Sequence, residues 1–195
     1  DRFDGDMVDI FDLQDHVTTG VVGAIAPKLE QAEIERSRRK PTASLDAYDF
    51  YLRGMARLHR FTKEDGSEAL SNFRRAIALD PNFAAAFGMA ARCYAQRKAG
   101  RWMTDPLSEI AEAGRLARRA IELGPDDAVA LCTAGFALAD VVDDLATGDA
   151  FIDQALALNP NLAWAWIFSG WVKVSLGEPE AAIERLSHAM RLSPN

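Results

Sequence analysis

The chain has 195 residues, with 29 acidic against 22 basic side chains and a formal charge of −7, a balance that disfavours a nucleic-acid partner, which needs a clustered basic face. Hydrophobic residues make up 49% and only three tyrosines occur, so the expected class is all-α rather than a sheet protein. No apolar run approaches the ~20 residues of a membrane span and no signal peptide opens the chain. The two cysteines, Cys93 and Cys132, lie in different apolar helical stretches and indicate no disulfide framework; the expected setting is the cytoplasm, with no membrane contact.

The first twelve residues are acidic, but they lack the alternating oxygen ligands and terminal bidentate Glu of a calcium loop, so no metal is expected. Residues 13–39 carry Val17, Val21, Ala24, Ile25, Leu29 and Ala32 at spacings of three and four, the stripe of an amphipathic helix. Such a stripe seeks an apolar cover, on the rest of the chain or on a second copy, which makes a homodimer one expectation. The basic run Arg36-Ser37-Arg38-Arg39-Lys40 reads as the solvated end of that helix, where cations suit the macrodipole.

From residue 45 onward one phrase returns four times: Ala76-Ile77-Ala78-Leu79-Asp80-Pro81-Asn82, Ala120-Ile121-Glu122-Leu123-Gly124-Pro125-Asp126, Ala155-Leu156-Ala157-Leu158-Asn159-Pro160-Asn161 and Ala189-Met190-Arg191-Leu192-Ser193-Pro194-Asn195. Its prolines stand 44, 35 and 34 residues apart, the period of a helical-hairpin solenoid. Each phrase is a corner, because proline cannot donate a helix-interior hydrogen bond but is tolerated in a first turn. Six residues past the prolines come Phe87, Leu131 and Trp166; ten past them come Ala91, Gly135 and Gly170. Large then small is what two helices need to cross closely, and Ala69, Ala113, Gly148 and Ala182 supply small residues on the second helix.

These spacings predict first helices at 45–60, 83–97, 127–141 and 162–176, and second helices at 63–79, 106–123, 147–158 and 179–192. Thr62 and Asp65 read as a capping-box variant. About ten extra residues around Lys98, Arg101, Trp102 and Met103 form either a longer helix or an edge loop, with Trp102 as a local packing lid. Asp105 and Pro106 then restart a helix as N-cap and first residue.

Over about residues 45–195 the chain resembles a tetratricopeptide-repeat (TPR) protein, with repeats at 45–82, 83–126, 127–161 and 162–195. The resemblance implies a right-handed superhelix of antiparallel helix pairs, with a concave groove lined mainly by first helices and preceded here by the amphipathic helix. Arg2-Phe3-Asp4 and Asp9-Ile10-Phe11-Asp12-Leu13-Gln14-Asp15 resemble the end of a TolB-like domain, so residues 1–40 are expected to be its tail or a linker helix. In bacterial regulators of this kind that domain joins TPR repeats, behind either a class III adenylate cyclase domain or a winged-helix DNA-binding domain. The start at Asp1 and the stop after Pro194-Asn195 read as those of an excised fragment whose solenoid continues.

The positions expected to face the groove are Tyr48, Tyr51, Met55 and His59, then Arg92 and Gln96, then Phe136 and Asp140, then Trp164, Ile167, Trp171 and Val174. The last four form an apolar stripe that repeat packing does not consume, whereas Trp166 is consumed by it. Either the stripe anchors an amphipathic helix or extended peptide, or it packs on further repeats or on the N-terminal helix. A C-terminal-carboxylate groove is disfavoured, since Arg92 is the lone cation among these positions. No phosphate loop, nucleophile elbow or metal-spaced His/Cys cluster occurs, so neither catalysis nor a cofactor is expected of this segment, although the resemblance leaves adenylate cyclase activity open for the whole protein. The expected function is a protein-interaction scaffold in a cytoplasmic signalling protein; the alternatives are a structural spacer or dimerisation element with its groove filled in cis, and the TPR region of a winged-helix transcription regulator.

Overall fold

A computed structural model describes Thr42 and residues 44–193, within the unit Pro41–Asn195. The expectations for residues 1–40 lie outside the described residues. Eight helices and no strand occur among the described residues: α1 (Leu45–Leu58), α2 (Lys63–Leu79), α3 (Ala84–Ala99), α4 (Pro106–Leu123), α5 (Ala128–Asp140), α6 (Leu145–Leu158), α7 (Ala163–Ser175) and α8 (Pro179–Leu192). None is long and apolar enough to cross a membrane.

Side-chain caps set most of the starts. Ser44 Oγ accepts from Ala47 N, Asp105 from Ser108 N and Asp144 from Thr147 N, while Asp127 takes both Val129 N and Ala130 N. Each cap satisfies a donor the helix cannot, worth about 1 kcal/mol. The Thr62–Asp65 pair is reciprocal: Thr62 Oγ1 accepts from Asp65 N at 3.1 Å and donates to the Asp65 carboxylate at 2.9 Å. At the corners, the N–H of Asp80, Gly124, Asn159 and Ser193 returns to the carbonyl of Ala76, Ala120, Ala155 and Ala189 in turn.

α1 is shorter than its spacing predicts, ending at Leu58 with His59 as C-cap, and α6 starts earlier, at Leu145, because Asp144 is the capping residue. The extra residues of the second hairpin divide between both readings. α3 runs on to Ala99, and a turn with Arg101 at φ +56° then leads to Asp105. The Trp102 ring lies 6.0 Å from Phe61, itself at φ +54°, so the turns that close the first two hairpins brace one another.

Each helix packs on the next, and α3 on α5 and α5 on α7 besides, so first helices form an inner layer and second helices an outer one. The core runs along the stack through fully buried Phe73, Phe83, Met89, Leu131, Leu138 and Ile152, and no hairpin buries its apolar faces alone. At the α5–α6 crossing two glycine backbones meet. A Cβ on Gly148 would lie 2.5 Å from the Gly135 carbonyl oxygen, and one on Gly135 2.8 Å from that of Gly148. Both thiols are buried and free, and burial raises their pKa to about 12, which leaves them inert.

Candidate protein-binding groove

The expected groove residues divide into two sets in the structure. Tyr51 and Gln96 are buried. The Tyr51 ring meets Phe73 at 5.8 Å and Phe83 at 4.9 Å, and burial, with the Asp127 carboxylate second, pushes its phenol well above the usual range. Gln96 donates from Nε2 to the Leu58 carbonyl at 3.1 Å, stapling α3 to the end of α1. Both belong to the packing between the first two hairpins, because a first helix flanked on both sides has almost no free face: α3 buries twelve of its sixteen residues.

The members of the second set all keep partial exposure to solvent. Tyr48 stacks on Tyr51 at 6.1 Å and is 39% exposed, and Met55 is half-buried against the core. Phe136 lies flat on Phe168, with centroids 4.1 Å apart and planes at 10°. Asp140 is half-buried, which raises its carboxyl pKa despite Lys98 nearby, and its carbonyl accepts from Lys98 Nζ. On α7, Trp164 and Ile167 are half-buried, whereas Trp171 and Val174 are 59% and 55% exposed.

Arg92 is the unusual member. Its guanidinium lies 5.1 Å from the Trp164 ring and 5.2 Å from the Phe168 ring, although both belong to the hairpin two further along. Nη1 is buried and lacks a hydrogen-bond partner among the described residues, and burial lowers the guanidinium pKa. Stacking on two π-faces compensates part of the desolvation. His59 also borders Trp164, with ring centroids 5.8 Å apart and planes at 70°. The Trp164 end of the stripe is thus covered by the chain's own residues, and the Trp171 end is open.

Phe168 is the participant that the spacing argument misses. It stands eight residues past Pro160, in register with the buried Met89 and Thr133, and that register could have revealed it. Trp166 has other partners, donating to the Pro160 carbonyl at 2.7 Å and meeting His188 with ring centroids 4.1 Å apart.

No family model matches the chain. Over 122 residues, 63% of the chain, it is 29% identical to "Putative adenylate cyclase 3" of Rhizobium meliloti (strain 1021). Over 151 residues, 77% of the chain, it is 26% identical to the transcriptional regulator HilA of Salmonella typhimurium. The matched segments are 21% and 27% of those proteins, so the chain spans a minor part of the curated relatives it matches. Among solved structures it is similar to TTC0263, a thermophilic TPR protein of Thermus thermophilus, with a TM-score of 0.62 over 93% of this chain and 92% of that one at 18% identity. The stacked hairpins, the proline corners and this superposition agree on the fold: an all-α TPR solenoid.

Proposed function

We propose that this chain is a protein-interaction scaffold: the regulatory TPR region, residues 45–195 in four repeats, of a larger cytoplasmic signalling protein that resembles class III adenylate cyclases, with residues 1–40 as the tail of a TolB-like domain. The observation that carries the reading is the open half of the α7 stripe, where Trp171 and Val174 leave more than half their surface to solvent beside half-buried Ile167. Exposed aromatic side chains on a rigid helix are the usual anchors for an amphipathic helix or extended peptide. The similarity to the Rhizobium meliloti protein supports the cyclase parentage, and the similarity to HilA supports the transcription-regulator alternative.

The spacer reading has its own support, in Arg92 and His59 lying over Trp164. Peptides selected from a displayed library against the full chain separate the two. On the scaffold reading, Trp171→Ala weakens the selected peptides by at least about tenfold, or 1.4 kcal/mol, and acrylamide quenches the wild type more than Trp171→Phe. Unchanged peptide affinity in Trp171→Ala, with the tryptophans protected from quenching, would sink the groove and leave the spacer.

A further inference from the structure

We propose a second binding site, on the outer layer: the cleft between α2, α3 and α4 takes a small organic anion, its charged group held by Arg74 and Arg75 and its apolar body lying on Leu70, Ala78 and the Tyr94 ring. The cleft has a volume of about 520 Å³, within the range of roughly 300–1,000 Å³ typical of small-molecule sites. One stripe of α2 forms a wall, since Leu70, Ser71, Arg74, Arg75 and Ala78 follow the three-and-four spacing of a single helix face. Tyr94, only 3% exposed, closes the bottom of the cleft from α3.

The opposite wall is electrically spent. Glu109 accepts from Arg97 Nε at 2.6 Å and Nη2 at 3.0 Å and from the Thr104 amide at 2.8 Å, which holds its carboxyl at about 2. This ion pair is neutral and its acceptors are committed. The remaining charge in the cleft is positive. Arg74 donates from Nη2 to the Tyr94 hydroxyl at 2.9 Å, and its nearest carboxylate, Glu112 at 3.7 Å, is already chelated by Arg115 through two 2.8 Å bonds. Arg75 has no carboxylate within ion-pair distance among the described residues and rests its guanidinium 5.5 Å from the Phe50 ring.

The Tyr94 oxygen accepts from Arg74, so its own proton is free to donate, and Ser71 adds a hydroxyl. The cleft therefore offers guanidinium and hydroxyl donors with no uncommitted carboxylate, in a chain whose net charge is −7. A single guanidinium edge, that of Arg74, recognises a planar or tetrahedral oxyanion bidentately, and Arg75, the next residue, adds a second positive charge to the lining. The apolar floor calls for a ligand with a hydrocarbon or aromatic body rather than a bare ion.

Calorimetric titration of the full chain with phenyl phosphate, benzoate, inorganic phosphate and neutral benzyl alcohol tests this site, with amide chemical shifts locating it. At least one of the two aromatic anions is expected to bind at least about tenfold tighter than benzyl alcohol and inorganic phosphate, and Arg74→Gln or Arg75→Gln to weaken it by about tenfold. Whichever anion wins assigns the head group as phosphoryl or carboxylate. Both arginines are exposed, so the variants retain the helical fold, and Arg119→Gln on α4 serves as an unaffected control. The site is overturned if neither anion binds, if affinity survives both arginine replacements, or if shifts map away from α2 to α4; inorganic phosphate binding as tightly as phenyl phosphate overturns the apolar half.

Discussion

The third and the last hairpin carry the same sequence positions in opposite surroundings. Eleven residues past their prolines stand Phe136 and Trp171; the first lies flat on Phe168 of the next hairpin, and the second is 59% exposed. Four residues before the prolines that close these hairpins, Pro160 and Pro194, stand Leu156, 6% exposed, and Met190, 64% exposed. Residue type and helix register are alike, so the difference comes from the neighbour. In a one-dimensional stack, burial belongs to the interface between repeats rather than to the repeat.

The sharpest break of that comparison is a matched pair of truncations. Leu156→Ala should cost about 3 kcal/mol, through the cavity it leaves in a closed interface, while Met190→Ala should stay within about 0.5 kcal/mol. Urea unfolding of the two variants measures it. Equal losses would mean that the exposed end is covered in solution.

A second test exchanges the crossing residues. The last hairpin has Ala182 where the third has Gly148, and of the two only the third brings two glycine backbones together. Gly148→Ala puts a methyl where 2.5 Å separates its Cβ from a carbonyl oxygen. The two helices must part. Overpacking of a few kcal/mol, less about 1 kcal/mol of gained helix propensity, leaves a net loss of about 2 kcal/mol, to be read from the thermal midpoint.

The ion pair that joins the two helices of the second hairpin is expected to respond to pH. Arg97 and Glu109 are 14% and 12% exposed, and the Glu109 carboxyl is held near 2 by the Arg97 hydrogen bonds, then by the Thr104 and Asp105 amides, against a burial penalty. A carboxyl depressed in the folded state contributes stability that is complete above its unfolded pKa, about 4.3, and is lost as pH falls toward 2. Glu109→Gln should lose about 1.5 kcal/mol at pH 7, and that difference from wild type should shrink through pH 4 to 2 in pH-resolved unfolding.

The helices are legible in the sequence because their signals are local. Proline corners, capping Asp and Thr residues and small-residue spacing each act within one turn or one hairpin, so Thr62, Asp105 and Pro106 announce helix starts without reference to the rest of the chain. The groove is legible only in part. The position of Tyr51 on a helix face is local, but its burial depends on Phe73 and Phe83; Arg92 meets Trp164 across the intervening third hairpin, a contact that only the stacking of the repeats creates. Neither leaves a trace in periodicity. Periodicity does mark the α7 stripe as unspent apolar surface, yet its division into a covered and an open half depends on which residues of earlier hairpins reach it.

The smallest expected effect has the opposite sign and tests what that covering contact is for. A buried guanidinium with an unpaired Nη1 is desolvated without full compensation, and replacing such a charge by an apolar side chain of similar length is commonly neutral or stabilising. Arg92→Met should therefore raise stability by up to about 1 kcal/mol while keeping a side chain over Trp164. His59 still borders that ring. If the guanidinium is held only by the two aromatic faces, acrylamide quenching of Trp164, measured in a background with the other three tryptophans replaced by Phe, should change little in Arg92→Met. It should rise clearly in Arg92→Ala, where the cover is gone. A loss of more than about 1 kcal/mol in Arg92→Met would instead mean that the cation is fully satisfied in solution, and that the Trp164 half of the stripe is held shut by charge rather than by packing.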